Sequence, residues 1–494
     1  MTGPARLSQQ IWLRKSVQST EAEEGHGGEG TPGLKRTIGT FQLTMFGVGA
    51  TVGTGVFFIL QDAVPDAGPS VIISFVLAGL VAGLAAFCYA ELASAIPVSG
   101  STYSYAYIAL GEIIAMVVAG CLLLEYGVST AAVSVGWSGY LNALLDNLFG
   151  FSIPDALSRA PIPVDGGETG IVNLPAMVLV LMCATLLVRG ASESARLNAI
   201  MVVIKVGVLV MFVGIAFTAF NADNFTPFAP EGVTGITAAA GIIFFTFIGL
   251  DAISTAGEEV KNPQKTMPRA ILLALTIVTT LYILVAVSGL GTQPAAEFGS
   301  AEQQDAGLAV ILQNVTGSNV WATILAAGAV ISIFSVTLVT LYGQTRILFA
   351  IGRDGLISER FAKVNPRTLT PTFNTWVVAI AIALVAGFVP SDYLWESTSI
   401  GTLGAFTIVS IGIIVLRRRE PNLHRPFKVP GYPVTPIITI AACLYLIAGL
   451  RLVTILVFVG WILLVLLYYV IRGRRGSVLG KSLPSIIHEG RKLP

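Results

Sequence analysis

The stretch GVGATVGTG, Gly47 to Gly55, decides the reading of this chain. It lies inside the first long apolar segment and sets four glycines in nine residues, with small Ala50, Thr51 and Thr54 between them. A continuous helix gains nothing from such a run, because each glycine weakens a helix by about 1 kcal/mol relative to alanine. Inside a bilayer, backbone that leaves the helix must be buried in protein or line a cavity. The stretch therefore predicts a break at membrane depth, where freed N–H and C=O groups meet a polar ligand.

The surrounding composition supplies the membrane. Of 494 residues, 54% are hydrophobic and 12% charged, with a mean hydropathy of +0.79, which excludes an ordinary soluble protein. A crossing needs about 20 apolar residues, so the pattern predicts an all-α integral membrane protein of twelve spans, at roughly 39–62, 70–92, 112–146, 172–190, 195–219, 234–257, 269–292, 318–350, 373–389, 398–416, 434–451 and 453–472. The basic residues orient them. With the N-terminus cytoplasmic, 26 of the 29 Lys and Arg fall on the inner side, Arg159 and Arg451 fall outside, and Lys205 lies within span 5. That asymmetry is the positive-inside pattern and places both termini in the cytoplasm, with the spans in the plasma (inner) membrane. Residues 1–36, which carry EAEEGHGGEG, read as a flexible cytoplasmic tail, and 473–494 as a second one.

Other chemistries find no support. Cys88, Cys121, Cys183 and Cys443 fall singly in spans, and His26, His424 and His488 lie in cytoplasmic segments. No metal site, disulfide framework, cofactor motif or catalytic constellation is expected, nor a nucleic-acid partner.

A second irregular span appears five spans later. Span 6 contains FFTFIGLD, Phe244 to Asp251, with Gly249 and a charged Asp251 mid-segment. Irregular first spans in two groups of five predict a five-plus-five inverted repeat, with substrate held between the breaks of spans 1 and 6. Residues 37–219 form the first repeat and 234–416 the second; 434–472 add two helices outside it. The segment SAIPVSGSTYSYAYIALGE, Ser94 to Glu112, has no Lys or Arg and suits a short in-plane helix. KNPQKTMPRA, Lys261 to Ala270, is read as stopping span 6 and restarting span 7 with Pro268 in its first turn.

These segments, with CYAELASAIPVSGSTYSYAYIALGE, LLLEYGVS, LYGQTRILFAIGRDGLI and RRREPNLHRPFKVPGYPV, resemble the amino acid–polyamine–organocation superfamily of transporters, and within it the cationic amino acid transporter family in a twelve-span form. The likeness covers about residues 37–472, six motifs in order. It implies an L-amino acid substrate. The N–H groups of Gly53, Thr54 and Gly55, at the start of the outer half of span 1, would hold its carboxylate. Carbonyls of Thr51, Phe245, Thr246 and Ile248 would accept from its ammonium. Leu250 stands where relatives place a bulky aromatic gate.

Three charged residues lie deep in the spans. Lys205 is nine residues past Arg196, hence ~13 Å from the inner end, too far to reach headgroups comfortably. The resemblance implies that its ammonium replaces the cation that sodium-driven relatives hold between spans 1, 5 and 8. Its expected partners are carbonyls near Gly47 and Val48 and a hydroxyl of Ser332 or Ser335. Proton exchange at Lys205 would couple transport to a proton; the alternative is a fixed tether between spans. For Glu125 the resemblance implies contact with a cationic substrate side chain, the alternative being a bond to a helix hydroxyl. Asp251 either takes part in coupling or caps freed N–H groups at the break. Glu91, Glu258 and Glu259 are candidates for inner-boundary ion pairs.

The function expected is a secondary active permease, taking up cationic or small neutral L-amino acids with a proton by alternating access. An exchanger or sodium symporter, or a non-transporting amino acid sensor, are the competing readings. Membrane lipid is the other expected partner; the basic run Arg417 to Lys428 either binds anionic lipid or, more simply, anchors the orientation. The sequence leaves any accessory subunit open.

Overall fold

The computed structural model describes residues 10–16, 38–96, 101–162, 169–189, 194–255, 260–299, 307–366, 368 and 370–481. Among these the chain is all-helical, with one isolated bridge between Ile38 and Val260. Eight helical stretches are long and apolar enough to cross a membrane, and four more apolar helices are shorter, at Leu174–Arg189, Gly307–Thr316, Thr372–Phe388 and Val434–Ala448.

Span 1 comes as two helices, α1 (Thr40–Thr51) and α2 (Thr54–Ala67). Val52 and Gly53 between them are non-helical. Gly68, with φ +61°, ends α2, and Pro69 follows it. Span 2 is α3 (Val71–Ala95), and a short helix, α4 (Ser101–Ala109), lies before span 3 in the segment read as a short helix. Span 3 is long, as expected, but not uniform. It runs as α5 (Glu112–Leu122), a π-helical turn (Leu123–Val128) and α6 (Ser129–Phe149). Spans 4 and 5 are α7 (Leu174–Arg189) and α8 (Ser194–Ala216).

Span 6 is broken as the sequence predicts. Helix α9 (Gly232–Ile243) tightens into a 3₁₀ turn at Phe244–Phe247, Ile248 is extended, Gly249 has φ +99°, and α10 (Ala252–Thr255) resumes. Span 7 is α11 (Pro263–Thr292). It begins a turn earlier than expected, so Pro263 is the N-terminal proline and Pro268 lies inside the helix. The earlier start follows from Asn262, whose left-handed φ of +49° turns the chain into the helix. A short helix α12 (Gly307–Thr316), not anticipated from the sequence, precedes span 8, α13 (Asn319–Arg353). Helices α14 (Thr372–Phe388), α15 (Ser391–Arg419), α16 (Val434–Ala448) and α17 (Leu452–Tyr468) complete the series. A second π-helical turn, Tyr469–Gly473, ends the last.

The packing pairs spans five apart. Helix α3 packs on α11, α6 on α13 and α7 on α14. The two breaks touch each other as well. A Cβ on Gly249 would lie 2.7 Å from the Ala50 carbonyl oxygen, and one on Gly55 3.1 Å from the Thr246 Cα. Glycine is thus required at the breaks by close approach, and at Gly249 also by its positive φ. The outward faces are apolar: Leu452, Leu456, Leu463, Leu464 and Leu467 of α17 are all exposed. With the long apolar helices, this is a surface built for lipid, and the chain is a multi-pass membrane protein.

Candidate functional site

The two breaks enclose a cavity of about 20 Å³, room for roughly one water molecule. Six residues expected at the site line it: Thr51, Gly53, Gly55, Phe245, Thr246 and Ile248. Ala50, Ser129, Val133, Val336 and Thr340 complete the wall, bringing in α6 and α13. Those two helices are joined by a hydrogen bond from the Thr130 hydroxyl to that of Thr340, 2.8 Å. Ser129 and Thr340 were not anticipated; a small hydroxyl in an otherwise apolar span is the one sequence signal that could have marked them. Thr54 begins α2 beside the cavity, and no side chain caps that helix N-terminus. Its first N–H groups are left for a ligand, where the positive end of the helix dipole favours an anion.

The carbonyl side carries a residue that the sequence did not flag. The Tyr282 hydroxyl, from α11, lies 3.0 Å from the Thr51 oxygen and 2.9 Å from the Thr246 oxygen and donates to that pair. One phenol therefore bridges the freed carbonyls of both broken spans. Only a lone tyrosine in an apolar helix could have drawn notice to it.

Lys205 is fully buried, and its ammonium donates to the carbonyls of Gly49, 2.7 Å, and Val52, 2.8 Å. The expected partners near Gly47 and Val48 are displaced by one to four residues. The reason is the position of the break. Gly47 already accepts from the Thr51 hydroxyl and Val48 from the Val52 N–H. Gly49 and Val52 sit where the helical ladder fails, and theirs are the oxygens left over. Ser332 and Ser335 are both buried on α13; the Ser332 hydroxyl has no hydrogen-bond partner, so the contact expected of it is not formed.

The acids gather beside the cavity. Glu125 sits on the π-helical turn, one helical turn from Ser129, and neither of its carboxylate oxygens has a hydrogen-bond partner. Its carboxyl group adjoins that of Asp251, with Thr402 of α15 next to it. The helix hydroxyl that the alternative for Glu125 called for is that of Thr402, adjacent to its carboxyl group. Asp251 accepts from the Tyr126 hydroxyl at 2.6 Å, while its other oxygen is unpartnered. The Gln344 amide, on α13 against Gly127, is buried with neither end satisfied. Buried polar atoms without partners mark a place for water or ligand.

Leu250 is buried but does not line the cavity. The aromatic at the wall is Phe245, whose ring meets Trp395 of α15 edge-on with centroids 4.5 Å apart. Next to Trp395, Glu396 is bound by Arg451, 2.6 Å, and by the Thr454 hydroxyl. On the opposite face, Glu91 is held by Arg417 through both carboxylate oxygens and by the Val429 N–H, 2.7 Å, with Arg425 3.4 Å away. Glu258 and Glu259 lie outside the described residues. No group of three or more potential metal ligands occurs among the described residues.

The comparisons with known proteins agree with this architecture. The amino acid permease family profile matches residues 38–472. The chain is 42% identical to the branched-chain amino acid permease BcaP of Bacillus subtilis, over 95% of this chain and 99% of that one. It is also 42% identical to the methylthioribose transporter of Bacillus subtilis, over 91% and 95%. Identity to cationic amino acid transporter 2 (vacuolar) of Arabidopsis thaliana is 34%, over 83% of this chain and 64% of that one. The chain belongs to the amino acid permease family, within the amino acid–polyamine–organocation superfamily, and is a membrane transporter, not an enzyme.

Proposed function

We propose that this chain takes up L-amino acids together with a proton, across the plasma membrane and by alternating access. The observation that carries this reading is the placement of Lys205: its ammonium binds Gly49 and Val52, the freed carbonyls directly behind a cavity built from both breaks. A cation fixed by the chain's own helix break changes the site's charge when it loses a proton, which links protonation to the geometry of span 1. The N–H groups at Gly53 to Gly55 are suited to the carboxylate and the carbonyls of Thr51 and Thr246 to the ammonium.

The twelve-span, five-plus-five arrangement belongs to the same reading. It is supported by the pairing of spans 2 with 7, 3 with 8 and 4 with 9, and by contact between the breaks of 1 and 6. Spans 1, 2, 6 and 7 would rock against 3, 4, 8 and 9. The basic residues orient the termini inward.

Glu125, Asp251 and Gln344 offer unpartnered oxygens and an amide to the substrate side chain, which favours cationic amino acids. The apolar wall of Val133, Ile248 and Val336, with the 42% relative named a branched-chain permease, favours aliphatic ones. Uptake of labelled arginine, alanine and leucine by purified protein in liposomes, with and without an inward proton gradient, decides between them. Gradient-stimulated uptake of at least one is expected. Failure of all three to accumulate, or accumulation indifferent to the gradient, would overturn the proposal.

A further inference from the structure

The N-terminal residues 10–16 do not hang free of the bundle; they lie along the start of α5. Leu13 is 2% exposed. Its carbonyl accepts from the Glu112 N–H at 3.0 Å, and that of Ile11 accepts from the Ile113 N–H at 3.2 Å. These are the first N–H groups of α5, which have no partner within the helix, so the segment closes the helix end main chain to main chain. Gly111 just before them has φ +109°, and a Cβ there would sit 3.2 Å from the Trp12 backbone. Lys15 then reaches the residue that ends α13: its ammonium lies 2.5 Å from an Asp354 carboxylate oxygen, with both side chains largely buried. The Gln10 amide donates to the Arg474 carbonyl at 2.6 Å, joining the segment to the C-terminal end of the bundle.

The two acids of this site also grip α4. Asp354 accepts from the Tyr103 hydroxyl at 2.7 Å, and its carbonyl accepts from the Val478 N–H at 3.0 Å. Glu112, with no exposure, accepts from Tyr107, 2.7 Å, Tyr469, 2.8 Å, and Ser477, 2.5 Å. Tyr103 and Tyr107 stand one turn apart on one face of α4. Its start bonds the other way: Ser101 to the Ser254 hydroxyl of α10 at 3.0 Å, and Thr102 to the Tyr89 hydroxyl of α3 at 2.6 Å. Helix α4 is therefore a wedge between α3 and α10 on one side and the termini with Asp354 on the other.

The same chain that docks on spans 3 and 8 runs on into span 1 at Thr40. We propose that residues 10–15 are a peptide clasp, seated in a site built from the α5 N-terminus, Asp354 and the C-terminal segment. The clasp holds α4 in place and leaves its site when the inner face opens. The seating rests on the contacts alone; the release rests on the alternating-access reading, because α4, gripped by Asp354 and Glu112 at the clasp's site, bonds at its other end to spans 2 and 6.

The test uses the full chain with Ile11→Cys and Ile113→Cys, the four native cysteines all being buried. Mild oxidation in membranes is expected to join the pair; no disulfide would overturn the seating. Lys15→Ala is expected to slow that cross-link several-fold, and Lys15→Asp with Asp354→Lys to restore it. Opening is read by labelling Ser254→Cys with an impermeant maleimide in inside-out vesicles, which needs no substrate. Labelling should be several-fold faster with Lys15→Ala. In the oxidised 11–113 pair it should fall more than fivefold, and recover on reduction. Equal labelling of oxidised and reduced protein would overturn the release. If the wild type takes up none of the three labelled amino acids, the transport reading fails, while the cross-link and labelling rates still decide the clasp.

Discussion

A buried ammonium is tolerable only where strong acceptors replace its water. At Lys205 those acceptors are backbone oxygens that exist because span 1 is broken, so the lysine and the break each stabilise the other. Lys205→Ala removes the cation and leaves two carbonyls without a donor, at about 1–3 kcal/mol each. Uptake driven by a pH gradient in proteoliposomes is expected to be abolished in this variant. Full, gradient-dependent uptake would reduce the lysine to a tether. The residue itself was legible in the sequence, since one cation in an apolar span has few other uses. Its acceptors were misplaced because glycine spacing marks a break without saying which carbonyl the helix last uses. The role of Tyr282 was not legible: a lone tyrosine in an apolar helix stands out, but its partners come from two other spans, and no local pattern records that.

At the scale of the element, the break in span 6 carries an aromatic that is itself held. Phe245 faces the cavity and leans on Trp395, next to the cluster of Glu396, Arg451 and Thr454. An edge-on aromatic pair contributes about 0.5–1.5 kcal/mol beyond the area it buries. Trp395→Ala should therefore raise the KM for uptake by roughly three- to tenfold, since 1.4 kcal/mol is a factor of ten, with kcat changed less. Trp395→Phe should recover most of the loss. An unaltered KM in the alanine variant would show that Phe245 is positioned without help. The broken elements were readable because Gly249 and Gly53 leave a mark in the sequence. The π-helical turn under Glu125 was not, because LLEYGV has the same apolar periodicity whether the turn holds four residues or five. The start of span 7 was misjudged for a similar reason: two prolines, Pro263 and Pro268, both fit a first turn.

At the scale of the molecule, apolar length marked the sequence as a multi-pass helical chain, and eight described stretches are long and apolar enough to cross a membrane; which helix packs on which is set by residues far apart in sequence. Contacts between α3 and α11 or α6 and α13 join residues some two hundred positions apart, and those of the clasp reach farther, 339 positions to Asp354 and 464 to Arg474. The cavity is too small for an amino acid in this conformation, so binding must separate walls that here touch.

Tyr282 bears on the half of the cycle in which nothing is carried. An ammonium from the substrate would tie Thr51 to Thr246; here a phenol already does. The unloaded carrier thus brings its own substitute for half of its cargo. On the proton-coupled reading proposed above, this bridge would let the site close empty and return to collect again, which a strict exchanger does not need. Tyr282→Phe should slow net uptake, where the empty return is obligatory, yet spare counterflow, where every crossing is loaded. Equal slowing of both in the same liposomes would show that the hydroxyl serves only to hold the site's shape.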